Sequence, residues 1–385
     1  MEPASGVLSP AGCVTTAAGW TAGAAGEMGG AAVGTAGAAG KIAGATGEIA
    51  GLIYDPLMIR VFTDPRCLVH RVPPGFPERP ERLSGIVEHL RGTGWPFAER
   101  ADIPAIPAIP ADAAVPAEWR AAVEAVHDPE YVGRLERAAA RGDSLLDSAD
   151  NPLSAGTREA AWAAVGCALA GADWVAAGED RAAFAAVRPP GHHAERDTAM
   201  GFCFFNNVAV AAEHLRRRHG AGRVAIFDFD VHHGNGTQHL FEERGDIFYA
   251  STHQYPFYPG TGAANETGQG AGAGATLNVP LPAGSGDDLY EEAITGRILP
   301  ALRRFAPDVL LLSAGFDAWR ADPLGGMRVS EEGFRRWGDL LRQLAAEVCG
   351  GRILGLLEGG YDLANLPRLV AAHLEGLAGG CPAAD

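Results

Sequence analysis

Five short apolar runs bounded by turn residues punctuate the chain: AFAAV (183 to 187), RVAIFDF (223 to 229), DIFYAST (246 to 252), DVLLLSA (308 to 314) and RILGLLE (352 to 358). Each has the length of a strand, and none alternates polar with apolar strictly, which predicts strands buried on both faces. Between and around them, apolar positions repeating about every 3.6 residues predict helices over 157–177, 206–219, 286–305, 330–348 and 367–378. Strand alternating with helix predicts an α/β fold, with a mainly parallel sheet covered by helices on both sides. In such sheets ligands bind beyond the carboxyl ends of the strands, so the residues there are the ones to weigh.

The pattern is absent from residues 1 to 50. They are mostly Ala and Gly with almost no large side chain to anchor a core, and are expected to form a flexible tail. Within them GAAGK invites a phosphate-loop reading, which fails because Thr35 stands where the motif needs Gly and Ile42 where it needs Ser or Thr. Dense mixed sequence starts at Gly51, and 51 to 385 is expected to be one catalytic domain.

Composition narrows the function classes. With 47% hydrophobic residues, a chain of 385 can bury a large core. A net charge of −16, with no basic block beyond Arg216 to Arg218, argues against nucleic-acid binding and gives a weak pull on small cations. The six cysteines form no CxxC pair, which suits a reducing compartment. No run of 18 apolar residues is present, and the start lacks the basic and apolar segments of a signal peptide, so a cytoplasmic location away from membranes is expected.

The strand ends carry groups that strands do not normally bury. The run RVAIF continues into DFDVHHGNG, which places Asp228, Asp230 and His232 at alternate positions, on one side of an extended backbone. Charged groups are rarely buried unless paired or bound to metal. Three other runs end similarly: RPPGHHA brings His192 and His193, SAGFD brings Asp317, and EGGYD brings Tyr361. One such ending is a turn; four suggest a shared pocket. If Asp230 and His232 face an ion, Asp317 is the natural third ligand from a neighbouring strand. Two carboxylates and one imidazole with an open position describe a catalytic site for Zn²⁺, or for Fe²⁺ as a competitor. His233 alternates away from that side and reads as a buried structural histidine.

RPPGHHAERDTAMGFCFFNN, DFDVHHGNGTQ, FYPGTG, SAGFDAWRADPLGG and EGGYD together resemble the zinc-dependent histone deacetylase family, specifically its class II and bacterial amidohydrolase branch. The resemblance runs from about Leu52 to about Leu377. It implies an arginase-like three-layer α/β/α fold and hydrolysis of N-acetyl-lysine amides to acetate and free amine. It also implies that Asp230, His232 and Asp317 are zinc ligands. His192 and His193 become the histidine pair beside the reacting water, oriented by Asp228 and Asn235 respectively. A carboxylate partner raises an imidazole's pKa and a neutral amide does not, so His193 is expected to be the neutral base and His192 the more cationic member. Tyr361 matches the tyrosine that stabilises the oxyanion.

By the same resemblance Phe202 and Tyr258 wall the acyl-lysine tunnel, Asp150 holds substrate at the rim, and either Arg79 or Arg82 is the channel arginine. Gly201 and Gly360 are expected to give turns that let backbone approach the ligand. A structural K⁺ is implied near Asp228, Asp230, His232 and Ser251. Polyamine-selective relatives carry a glutamate where this chain has Leu324, so acetylated lysine side chains are the expected partners rather than small acetylated amines. An acetylpolyamine deacetylase is the runner-up. A binuclear arginase-like hydrolase would need more carboxylates near Asp230, where His233 and Gly234 stand instead, and a dead acyl-lysine binding module would have lost a ligand or the tyrosine.

Overall fold

In the computed structural model, which describes residues 59–96, 115–178 and 181–379, all five apolar runs are strands of one sheet. They are β4 (Ala182–Ala185), β5 (Val224–Asp228), β6 (Ile247–Gln254), β8 (Val309–Ala314) and β9 (Ile353–Leu357). β1 (Ile59–Phe62) and β7 (Thr276–Leu281) complete a seven-stranded, all-parallel sheet in the order β1-β4-β9-β8-β5-β6-β7. A separate hairpin pairs β2 (Leu145–Leu146) with β3 (Ser148–Pro152). The expected tail, residues 1 to 50, lies outside the described residues.

Every residue of β4, β5, β6, β8 and β9 is buried, as their unbroken apolar runs require of a sheet covered on both faces. One layer holds α4 (Thr157–Ala176) and α5 (Asn207–His219), with α2 (Ala117–Glu124), α3 (Pro129–Arg141) and α6 (Asn235–Phe241) against them. The other holds α1 (Pro80–Gly92), α9 (Glu331–Cys349) and α10 (Leu366–Ala378), with α7 (Asp287–Ala293) and α8 (Leu299–Phe305) beside them. This is the three-layer α/β/α arrangement that the sequence suggests. Among the described residues no helix is long and apolar enough to cross a membrane.

Local chemistry sets the helix ends. Asn206 caps α5 by accepting from the amide of Ala209 at 3.0 Å, Ser330 caps α9 by accepting from Gly333 at 3.1 Å, and Gly220 and Gly350 end these helices in the left-handed conformation. The pattern over 286–305 is two helices instead of one. Pro300 lacks an amide to donate, and the chain passes through a wide π turn at Ile294–Ile298 between α7 and α8.

Connections leave β5 and β8 in opposite directions, β5 leading to β6 toward the β7 edge and β8 leading to β9 toward the β1 edge. The crevice between their carboxyl ends is the topological switch point where open α/β sheets bind ligands. The chain delivers Asp230 and His232 just after β5, and Asp317 just after β8.

Candidate active site

At the switch point Asp230, His232 and Asp317 converge, with ligand atoms within 4.8 Å of one another. His232 Nδ1 lies 3.0 Å from an oxygen of Asp230 and 3.1 Å from one of Asp317. Both carboxylates are fully buried, and their charged partners are the imidazoles of His192 and His232. Burial, and then repulsion from Asp230, push the Asp317 carboxyl up to about 7. Burial alone would lower His232, but its bonds to Asp230 and Asp317 outweigh that and raise it to about 10. Anions held this closely fit a divalent cation. The backbone makes room for them too: a Cβ on Gly359 would stand 2.1 Å from an Asp317 oxygen and 2.5 Å from an Asp230 oxygen, and one on Gly315 would stand 2.1 Å from Asp230. The Gly359 amide donates to Asp230 at 2.7 Å and the Val231 amide to Asp317 at 2.8 Å, which fixes both carboxylates.

His192 and His193, beyond β4, lie beside this cluster with ring centroids 4.0 Å apart and planes tilted by 44°. Their partners differ in charge. His192 Nδ1 donates to Asp228 at 3.0 Å; burial would lower its pKa, but Asp228, Asp230 and Glu358 raise it to about 10. His193 Nδ1 faces Asn235 Oδ1 at 2.7 Å. The other end of that amide, Nδ2, donates to the Glu195 carboxylate, which can only accept. Asn235 therefore presents its oxygen to His193, the ring carries its proton on Nδ1, and Nε2 is left with a free lone pair. Burial, then the charges of His192 and His232, hold His193 well below the usual histidine range. The two neighbouring rings are thus pushed in opposite directions, His192 up and His193 down.

Tyr361 follows β9. Its amide donates to Asp322 at 2.6 Å, its ring lies under the Arg82 guanidinium at 4.7 Å, and burial keeps its phenol protonated far above the ordinary range, with Arg82 opposing and Asp317 and Asp230 adding to the shift. Arg82 donates to the carbonyls of Gly360 (2.6 Å) and Glu358 (2.5 Å), and to Glu78 at 3.3 Å.

Residues 76–377 match the family described as the histone deacetylase domain. The chain belongs to the histone deacetylase family. It is 44% identical over 264 residues to the chloroplastic histone deacetylase 14 of Arabidopsis thaliana, covering 66% of this chain and 62% of that protein. It is 43% identical over 255 residues to the histone deacetylase-like amidohydrolase of Pseudomonas aeruginosa, covering 66% of this chain and 67% of that protein. The chain thus spans less than two thirds of the first of these relatives. Its fold superimposes on the acetylpolyamine aminohydrolase of Burkholderia pseudomallei with a TM-score of 0.71 at 32% identity, over 83% of this chain and 99% of that one.

In this histone deacetylase domain, further residues from the sequence reading gather around the cluster. Tyr258 stands edge-on to His193 with centroids 5.1 Å apart, and Phe202 edge-on to Tyr361 at 5.9 Å. Asp150, on β3, accepts from the Tyr258 hydroxyl and from the Gly201 amide, both at 3.0 Å, and so ties the two aromatic segments together. Gly201 (φ +56°) leads a left-handed turn with Phe202 (φ +70°), and a Cβ on it would stand 2.3 Å from the His193 ring. Its close approach is to that ring. Gly360 (φ +115°) is tight against Phe316 and Leu366 rather than against the pocket. Leu324 is half-buried, its amide donating to Asp322 at 2.8 Å.

The two arginines differ in placement: Arg79 is the cap residue of α1, while Arg82 is buried with its guanidinium over the Tyr361 ring. His233 bonds to Thr261 at 2.8 Å and Gln238 at 2.9 Å, both ring nitrogens satisfied. Asp228 pairs in register with Ser251 on β6, which puts the residues expected around K⁺ on adjoining strand ends; the Ser251 hydroxyl bonds to His253 at 2.9 Å.

Sequence reasoning missed three supporting groups. Glu358, fully buried, accepts from the amides of Gly191 (2.6 Å) and His192 (3.1 Å) and fixes the backbone that carries the histidine pair. The Tyr249 hydroxyl donates to Asp228 at 3.2 Å and accepts from the Gly234 amide at 3.1 Å. Asp322 gathers the amides of Tyr361, Leu324 and Gly325 on one carboxylate. Glu358 carries the same signal as Asp228, a carboxylate ending an apolar strand.

Proposed function

We propose that this chain hydrolyses the acetyl amide of acetyl-lysine side chains, with Zn²⁺ as the resident metal and Fe²⁺ as its competitor at Asp230, His232 and Asp317. The observation that carries this reading is the split histidine pair beside the carboxylate cluster. When bound, the metal supplies a Lewis acid for the acetyl carbonyl and the attacking water. His193 Nε2 removes the water's proton as general base, and the same histidine returns it to the departing amine. His192, held charged by Asp228, contributes positive potential beside the developing oxyanion, and the Tyr361 hydroxyl donates a hydrogen bond to it. Phe202 and Tyr258 suit a slender methylene chain between them.

The base must be neutral to act, so activity is expected to fall as pH drops through the depressed pKa of His193. In Asn235→Asp a carboxylate would replace the amide and face Glu195, which raises that pKa. The acid limb of kcat/KM is then expected at higher pH than in the unaltered protein. An unmoved limb would take the proton-abstracting role away from His193.

The likeness to an acetylpolyamine aminohydrolase, and the net charge of −16, favour a second reading with small acetylated amines as substrates. Leu324 argues against it. A leucine at that position leaves a distal ammonium group without the glutamate partner that polyamine-selective relatives supply there, and the protein's diffuse field is screened within about 8 to 10 Å at physiological salt. Acetyl-lysine peptides are expected to show higher kcat/KM than acetylspermidine or acetylputrescine when assayed side by side, and Leu324→Glu to narrow or reverse the gap. The opposite ranking would replace the substrate while leaving the chemistry in place.

A further inference from the structure

α4 and α5 pack side by side, and three side chains on their outer surface meet at one point. Asp173 comes from α4, His214 from α5, and His219 is the last residue of α5 before its Gly220 cap. Nε2 of His214 and Nε2 of His219 each lie 2.7 Å from the same carboxylate oxygen, Oδ1 of Asp173. The two rings stand nearly perpendicular, with centroids 5.4 Å apart. The side chains of His214, His219 and Asp173 are 11, 27 and 49% exposed, so the cluster is partly enclosed yet open to solvent.

A carboxylate has two oxygens with about four acceptor positions, and two independent donors gain nothing by crowding onto one of them. Three ligand atoms gathered within 4.8 Å, both imidazoles presenting the same nitrogen, form an arrangement that a shared cation fits. α5 leads into β5 and α4 into β4, so the carboxyl ends of both helices lie toward the amino edge of the sheet, away from the active site. The deacetylase chemistry makes no use of this cluster. Glu118 and Arg218 line the crevice beside Asp173 and His214, and their opposite charges leave the site's balance to Asp173.

We propose that Asp173, His214 and His219 form a second divalent metal site, of two imidazoles and one carboxylate, suited to Zn²⁺ and open to Ni²⁺ or Cu²⁺. Metal–ligand distances of about 2.0 to 2.2 Å put tetrahedral ligands about 3.3 Å apart, so each histidine–aspartate pair, now at 2.7 Å, would open by roughly half an ångström, within reach of the exposed Asp173 side chain. The ion ties α4 to α5, and its open position takes water. It is a clamp on the helical layer, with no part in turnover.

The test is Zn²⁺ stoichiometry by native mass spectrometry on the untagged full chain already holding its catalytic equivalent. The unaltered protein is expected to take up a second equivalent, the His214→Ala/His219→Ala variant to take up none beyond the first, and acetyl-lysine turnover to be unchanged between them. Asp173→Asn, nearly isosteric, is expected to weaken the second equivalent at least about tenfold, since even partners outside the coordination shell cost that much, and it serves if the double variant folds poorly. In Asp317→Ala one equivalent should remain, and His214→Ala/His219→Ala on that background should remove it, which separates this site from the catalytic one. A single equivalent in the unaltered protein, or a second that survives loss of both histidines, would overturn the proposal.

Discussion

Asp317→Ala is expected to remove one equivalent of bound metal and to abolish turnover together. Asp317 and Asp230 lie on separate loops, after β8 and β5, and the site exists only where the two loops meet at His232. Deleting one carboxylate leaves a single anion and an imidazole, too few donors to hold a divalent ion in a catalytic geometry. With the ion goes the several kcal/mol of transition-state stabilisation that a Lewis acid provides, which is about 10³-fold or more in rate. Asp317→Asn separates charge from shape, because an amide can still accept from the Val231 amide that Asp317 holds at 2.8 Å. It should fold with a normal melting transition and still lose metal and activity. Metal content measured against kcat in the same preparations checks this, and full activity in a metal-free protein would sink the mechanism.

Tyr361→Phe is expected to lower kcat by about 10²- to 10³-fold with KM nearly unchanged, the typical cost of one oxyanion donor. The substitution removes one hydroxyl and keeps what holds the ring: the Tyr361 amide still donates to Asp322, Arg82 still lies over the ring face, and Phe202 still meets its edge. Because burial keeps the phenol protonated well above the ordinary range, the hydroxyl is a donor throughout the working pH range, and the variant's pH profile should keep its shape. A kcat within about threefold of the unaltered protein would make Tyr361 a packing residue, since loss of an oxyanion donor costs far more.

What could be read from the sequence divides along physical lines. The strands were legible because each is an uninterrupted apolar run, and Asp230 with His232 because period two puts alternate residues on one side. β1, only four residues of IRVF, and β7, broken by Pro280, are too short or too interrupted to stand out. The resemblance gave the two histidines partners of different charge, and His192 does meet Asp228 and His193 Asn235. The burial of Arg82 was also within reach: it repeats at spacing four with Ile86 and Leu90 on the buried face of α1, while Arg79 precedes the helix. Glu358 ends an apolar strand as Asp228 does, but Asp322 has no such signal: it acts on the backbone amide of a residue 39 positions away, and a side chain that bonds to backbone leaves no complementary residue type to look for.

The sheet order also dictates when the site can form. β4 and β5 are made early and lie in the finished sheet with β9 and β8 between them, and those two strands are the last the chain provides. During synthesis the histidine pair and Asp230 therefore emerge well before Asp317, Glu358 and Tyr361, and Arg82 waits 278 residues for the carbonyl of Gly360. Pairings of such sequence separation close slowly, and a gap between β4 and β5 exposes apolar edges while it lasts. Catalytic competence and metal retention should thus arrive together, as the final two strands insert, and a nascent chain ending before β8 should hold no metal in this pocket.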